Sequence, residues 1–209
     1  MQIERKGLLL ILSSPSGAGK TTISRKLLEN DSEIFMSVSA TTRTMRANEV
    51  DGKDYYFVSK EKFAEMVEND EFLEYAEVFG NSYGTPKKPV FDRLKNGKDV
   101  LFDIDWQGTI TLQEECEEDV VSIFILPPSM EELERRLRSR GLDDENVIRN
   151  RMSKAANEIS HWEIYDYVIV NDDADRTAEL VKNILDAERN RRFRLTGLEV
   201  YVKGLVGEK

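Results

Sequence analysis

The sequence predicts an α/β fold: a parallel sheet flanked by helices, with a small mixed α/β insertion in its first half. Three observations predict it. Apolar runs at Leu8–Leu12, Asp99–Ile104, Val120–Leu126 and Tyr167–Val170 lack the polar alternation of a half-exposed strand, so they read as strands buried on both faces. Between these runs, apolar residues recur at three- and four-residue spacing, the helical period. From Met36 to about Asn96 the texture changes to shorter strand candidates around one helix. At 209 residues the chain suits one such domain, able to bury about 70% of its extended-chain surface.

The elements follow in order. Leu8–Leu12 runs into Ser13-Ser14-Pro15-Ser16-Gly17-Ala18-Gly19-Lys20-Thr21-Thr22, and a helix follows with Ile23, Leu27 and Leu28 on one face. The insertion contains strand candidates Met36–Ala40, Tyr55–Val58 and Glu74–Phe79. Its helix lies near Lys60–Asn69, and Asp51-Gly52 is a tight-turn signal. Pro89 suits the first turn of a helix that Asn96-Gly97 ends. The alternation resumes with the strand Asp99–Ile104, a helix over Trp106–Glu115 and the strand Val120–Leu126, which Pro127-Pro128 stops. Ser129-Met130-Glu131-Glu132 is a capping box opening a basic helix through Arg140. Gly141–Asp144 breaks the pattern before a helix over about Glu145–Ile159. The strand Tyr167–Val170 and a long helix near Arg176–Arg192 complete the core. The tail through Val202 reads equally as a strand or as a segment seeking a partner. The pattern divides into a core of 1–35, 97–128 and 152–209, an insertion of 36–96, and a helical segment of 129–151.

Composition narrows the function classes. The chain is 40% apolar and 33% charged, with a net charge of −10. Such an acidic balance argues against broad binding of nucleic acid or anionic membrane. No apolar run approaches the roughly 20 residues that span a bilayer, and the N-terminus lacks the shape of a secretion signal. Cys116 is the sole cysteine, which fits a reducing compartment, and cytoplasm is the expected location. Oligomeric state, monomer or homo-oligomer, is left open.

The strongest chemical signal is the loop ending Gly17-Ala18-Gly19-Lys20-Thr21. Between a buried strand and a helix, its glycines let backbone N–H groups curl around a phosphate, and the helix dipole favours the anion. This is the phosphate loop (P-loop) of nucleoside triphosphatases. Lys20 would reach the β- and γ-phosphates, and the Thr21 hydroxyl would help hold Mg²⁺. Ser14 stands where the usual pattern has glycine, so the serine requires an ordinary backbone conformation there. In the insertion, Arg43 and Arg46 lie three residues apart, followed by Tyr55 and Tyr56. Guanidiniums and phenols converging in a small domain suit a second, monoester phosphate, although a solvated basic loop reads equally well from these residues alone.

The order of further motifs is specific. Ser39-Ala40-Thr41-Thr42-Arg43-Thr44-Met45-Arg46 precedes Gly52-Lys53-Asp54-Tyr55, then Glu74 and Gly80-Asn81-Ser82-Tyr83-Gly84-Thr85. Asp103-Ile104-Asp105-Trp106-Gln107-Gly108, Pro127-Pro128-Ser129, Arg136-Leu137-Arg138-Ser139-Arg140-Gly141 and Val170-Asn171-Asp172-Asp173 follow. From Gly7 to Glu188 the chain resembles the guanylate kinases of bacterial type, among the P-loop nucleoside monophosphate kinases. The resemblance implies Mg²⁺-dependent transfer of the ATP γ-phosphoryl group to GMP, with dGMP as a further acceptor, in purine nucleotide recycling. It also implies that the insertion is the GMP-binding part and that 129–151 is a mobile lid.

The resemblance implies roles residue by residue. ATP would lie on Ser14, Pro15, Ser16, Gly17, Ala18, Gly19, Lys20, Thr21 and Thr22, with Asn171 at the adenine. Arg43, Arg46, Tyr55 and Tyr83 would hold the GMP phosphate. Glu74 would accept from guanine N1–H and the exocyclic amine, a donor pair adenine does not present. Ser39, Thr85 and Asp105 would complete base recognition. Thr21 and Asp103 would serve Mg²⁺, partly through water. Lys20, Arg43, Arg136, Arg140 and Arg151 would act on the transferring group. Two rivals remain: a P-loop kinase for another phosphomonoester, which has no use for Glu74, and a non-catalytic scaffold module, which lacks the loop lysine. His161 is expected to be structural, Cys116 inert, and Arg189–Arg194 a solvated helix end.

Overall fold

A computed structural model describes residues 3–78, 80–139 and 145–207. Five parallel strands form the main sheet: β1 (Leu9–Ser13), β2 (Ile34–Met36), β7 (Asp99–Asp103), β8 (Val120–Leu126) and β9 (Tyr167–Val170), in the order β2-β7-β1-β8-β9. β1 is central, with Leu10 opposite Leu101 on one side and Val121 on the other. Its alternate side chains explain the unbroken apolar run. Leu8, Leu10 and Leu12 pack against Ile23 and Leu27 of α1 (Lys20–Asn30) and Val181 and Leu185 of α7 (Ala174–Arg189). Leu9 and Ile11 face the opposite layer, Val90 and Leu94 of α3 (Lys87–Lys95) and Leu112 of α4 (Trp106–Cys116). Full burial of each such leucine contributes about 1.5–3 kcal/mol.

A second sheet sits in the insertion. Its strands are β3 (Ala40–Thr41), β4 (Tyr56–Phe57), β5 (Phe72–Val78) and β6 (Asn81–Pro86), ordered β4-β3-β6-β5. β3 pairs with β4 in parallel, and the β3–β6 and β5–β6 pairs are antiparallel. The helix α2 (Lys60–Glu68), capped by the Ser59 hydroxyl, buries Phe63 and Met66 against Phe72 and Ala40. The expected strand Met36–Ala40 is corrected. Its first residue ends β2 of the main sheet and its last begins β3 of the second, so residues 37–39 carry the chain between sheets.

Next comes the helical pair α5 (Met130–Ser139) and α6 (Glu145–Ile159), where Leu133, Leu137 and Ala155 close a small core over Ala18 of the phosphate loop. The expected break at Gly141–Asp144 lies outside the described residues. α7 ends at Arg189, and the tail forms α8 (Leu198–Val206), a helix where the sequence left strand and partner-seeking segment open.

The run Arg189–Arg194 requires a correction: it is not simply a solvated helix end. Arg189 bonds Asp31 and Asp99, each at 2.7 Å. Asp99 is fully buried; its Oδ1 also accepts from Arg5 at 2.7 Å and from the Leu8 N–H at 3.0 Å. Arg194 is only 1% exposed, stacked near Phe193, and burial pulls its pKa below the ordinary arginine value. Through Asp99 and through the Arg194 carbonyl, which accepts from the Lys6 N–H at 2.7 Å, the segment after α7 is tied to the residues that lead into β1.

Candidate active site

The phosphate loop follows β1, at the carboxyl edge of the sheet, where the strands of open α/β folds present their ligand sites. Gly17 and Gly19 have φ of +99° and +107°, a region L side chains rarely occupy, so glycine is required at both. Gly19 is the N-cap of α1 and offers no side-chain hydrogen bond to the first helical N–H groups. Thr22 and Ile23 already donate to the Gly19 carbonyl, which leaves the Lys20 and Thr21 N–H groups and the helix dipole for an anion. Ser14 has no positive φ, so the serine is tolerated where the common pattern has glycine; its hydroxyl donates to the Pro15 carbonyl at 3.1 Å. Lys20 pairs through Nζ with Asp103 Oδ1, joining the loop to the end of β7.

Thr21 follows on the exposed first turn of α1. Among the described residues no group of three or more His, Cys, Asp or Glu side chains is arranged to hold a metal ion. One hydroxyl and one carboxylate are oxygen donors of the kind Mg²⁺ uses when substrate phosphates and water complete its shell. The residues present therefore fit Mg²⁺ brought with a nucleotide.

In the insertion, Arg43 is held rather than free. Its Nη1 and Nη2 donate to the two oxygens of Glu49 at 3.1 and 2.7 Å, and Nη1 also donates to the Thr44 carbonyl at 2.8 Å. The guanidinium carbon lies 5.4 Å from the centre of the Tyr55 ring, and the Tyr55 and Tyr83 rings meet edge-on at 6.0 Å. Glu49 also accepts from the Arg46 backbone N–H at 2.8 Å, while the Arg46 side chain is exposed. The hydrogen bonds from Arg43 and from the Arg46 N–H lower the Glu49 pKa, and the same carboxylate raises that of Arg43. The structure thus brings Arg43, Tyr55 and Tyr83 together and adds Glu49, which the motif reading missed. An acid three residues after Arg46 was the available signal.

Beside this cluster, Thr85 donates to Glu74 Oε1 at 2.6 Å, and the Ser39 and Thr85 hydroxyls lie 3.3 Å apart. Burial raises the Glu74 pKa above the ordinary carboxylate value, and the Asp105 charge adds to the rise. Asp105 itself is the N-cap of α4, with Oδ1 accepting from the Gln107 and Gly108 N–H groups at 3.1 and 3.0 Å. The span from Asp103 to Asp105 therefore reaches both places: Asp103 touches Lys20, and Asp105 caps α4, which packs against β5 and its Glu74.

A model of the family described as guanylate kinase matches residues 6–188. The chain belongs to the guanylate kinase family. It is 62% identical over 204 residues to the guanylate kinase of Novosphingobium aromaticivorans, covering 98% of this chain and 92% of that one. The guanylate kinase of Paramagnetospirillum magneticum is 60% identical, with 98% and 96% covered. The crystal structure of guanylate kinase from Anaplasma phagocytophilum superimposes with a TM-score of 0.75 at 47% identity, covering 97% of this chain and 96% of that one. Membership of the guanylate kinase family makes the chain a nucleoside monophosphate kinase.

The remaining residues implied by the guanylate kinase resemblance lie on α5 and α6 or beside them, apart from Arg140. Arg136 on α5 pairs with Glu132 at 2.8 Å and turns its other nitrogens to the loop, donating to the Ala18 carbonyl at 3.4 Å and the Asn171 carbonyl at 3.1 Å. Arg140 lies outside the described residues. Arg151 is half-buried on α6. Asn171 is buried, and its carboxamide is directed into the protein: Nδ2 donates to the Ala18 carbonyl at 2.6 Å and Oδ1 accepts from the Thr177 hydroxyl at 3.0 Å. Glu158 on α6 is a further carboxylate near the loop; burial raises its pKa against the opposing pull of Lys20. His161 stacks on Trp106 at 3.8 Å, and the Cys116 thiol is buried with its pKa raised.

Proposed function

We propose that this kinase moves the γ-phosphoryl group of ATP onto GMP, or dGMP, giving ADP and GDP. The observation that carries the reading is the double reach of the Asp103–Asp105 span: Asp103 pairs with Lys20 of the phosphate loop, and Asp105 caps α4, which packs against β5, the strand that carries Glu74. Two anions must be brought end to end against their repulsion, so catalysis here is positioning plus charge stabilisation. The loop amides and Lys20 hold the donor, and Asp103 orients Lys20 until nucleotide arrives. Arg43, Arg46, Tyr55 and Tyr83 hold the acceptor phosphate, whose oxygen is already ionised at neutral pH and needs no base.

Glu74 selects the base. Thr85 occupies part of Oε1, leaving Oε2 and a lone pair of Oε1 for two neighbouring donors, the pattern of guanine N1–H and N2–H₂. Ser39 and Asp105 complete that edge. Thr21 and Asp103 would hold Mg²⁺, which when bound offsets the charge of the β- and γ-phosphates. The 36–96 segment and the 129–151 lid close over the pair, Arg136, Arg140 and Arg151 meeting the transferring group and excluding water. Coupled ADP release with ATP, Mg²⁺ and each of GMP, AMP, CMP and UMP tests the reading. Turnover with GMP far above the other three is expected, and equal turnover of AMP would refute it.

A further inference from the structure

The back of the phosphate loop is held from two sides, by Asn171 and by Arg136. The Ala18 carbonyl accepts from Asn171 Nδ2 at 2.6 Å and from Arg136 Nη1 at 3.4 Å. Asn171 is itself fixed at every polar group. Its N–H donates to the Leu126 carbonyl at 2.8 Å, its carbonyl accepts from Arg136 Nη2 at 3.1 Å, and its Oδ1 accepts from Thr177 Oγ1 at 3.0 Å. Asn171 is 3% exposed and Thr177 1%, so both bonds lie away from competing water. A Cβ on Gly19 would stand 2.4 Å from Asn171 Nδ2, which shows how closely the carboxamide is pressed to the loop.

The peptide plane gives this contact its consequence. In a trans peptide the carbonyl of one residue and the N–H of the next point in opposite directions. Holding the Ala18 carbonyl against Asn171 therefore turns the Gly19 N–H the other way, toward the concave side of the loop where phosphate oxygens are received. A loop with two left-handed glycines has little intrinsic preference for that orientation, so an external anchor has real leverage.

We propose that Thr177 and Asn171 form a positioning relay that aims the Gly19 amide, so that the Asn171 carboxamide acts on the donor's phosphates. The proposal rests on the reading of this loop as the ATP site. Its distinguishing property is indifference to the base: a residue that reads adenine matters for ATP alone, whereas a residue that aims an amide matters for any polyphosphate. Thr177 packs behind Asn171 on α7 and is the sharper probe.

The test is equilibrium binding of ATP, inosine triphosphate and inorganic tripolyphosphate, with Mg²⁺, to the full chain and to N171A, T177V and T177S. Thermal unfolding and GMP affinity are measured in parallel. N171A should weaken all three ligands by the same factor, about tenfold for one lost buried hydrogen bond. T177V, which keeps the shape and loses the hydroxyl, should shift all three in the same direction, and T177S should restore wild-type affinity. GMP affinity should not move. Loss of ATP affinity with unchanged tripolyphosphate affinity in N171A would overturn the proposal, as would wild-type affinities in T177V. Should N171A fail to fold, T177V and T177S decide it alone. Failure of the wild-type chain to bind any of the three ligands would instead sink the assignment of the ATP site.

Discussion

Replacing Glu74 by glutamine tests base recognition with the least change of shape. The carboxylate has about four lone-pair sites; Thr85 fills one at 2.6 Å, and guanine N1–H and N2–H₂ would fill two more. Two hydrogen bonds to a charged acceptor are worth about 1.5–3 kcal/mol each, part of which is offset by desolvating the carboxylate. Glutamine keeps one oxygen but sets an NH₂ group against a guanine donor. The expected net loss is about 3 kcal/mol, or roughly 100-fold in kcat/KM for GMP. The KM for ATP should stay within about twofold, the scatter of a change that touches no ATP contact.

The same residue predicts a pH dependence. Burial and Asp105 raise the Glu74 pKa, so the folded protein holds this proton at pH values where the unfolded chain has released it. Ionising Glu74 thus costs stability as pH rises through the raised pKa. GMP, by contrast, requires the ionised form, so its affinity falls as pH drops through that same pKa, above the ordinary glutamate range. In E74Q this acid limb of the kcat/KM profile for GMP should vanish. Equal changes in the two Michaelis constants, or an unaltered acid limb, would show that Glu74 does not read guanine.

Lys20→Ala should lower kcat by at least about a hundredfold, as removal of a charge aimed at the transferring group does, with the urea midpoint little changed because Lys20 and Asp103 are both partly solvent-exposed. Near-normal steady-state turnover in K20A would exclude the role given to the lysine. Asp99→Asn should do the reverse: removing a fully buried charge from between Arg5 and Arg189 costs about 3 kcal/mol in urea denaturation. Both Michaelis constants should be unaffected, since Asp99 opens β7 at the edge of the sheet opposite the loop.

Much of this was legible in the sequence because the chemistry is local. Ser14–Thr22 carries its own strand, turn glycines and helix start, so backbone rules alone predict a phosphate seat. Arg43 and Arg46 are as compact, yet residues three apart do not disclose what holds them. The Glu49 clamp depends on a loop folding back on itself, and one acid among 40 Asp and Glu residues carries no mark of that. Asn171 shows the same limit more sharply. Its position after a core strand is readable, but whether its carboxamide faces a ligand or the Ala18 carbonyl is settled by α7, which supplies Thr177. Arg194 looked solvated because a run of arginines usually is. Its burial depends on Asp119, which comes from just after α4 some seventy-five residues earlier, as well as on nearby Glu188 and Phe193. The crossing at residues 37–39 is unmarked in the sequence, because Ser37-Val38-Ser39 carries no glycine or proline between two short strands.

The central claim is that one cleft grips a triphosphate and a guanine monophosphate end to end. Titration calorimetry with a single molecule, adenosine and guanosine joined through five phosphates, tests it most directly. Linking the two ligands makes the second contact intramolecular, so affinity should exceed that for ATP or GMP alone by about a hundredfold or more, and both K20A and E74Q should weaken it. A Kd no tighter than that of ATP, unmoved by E74Q, would contradict the account.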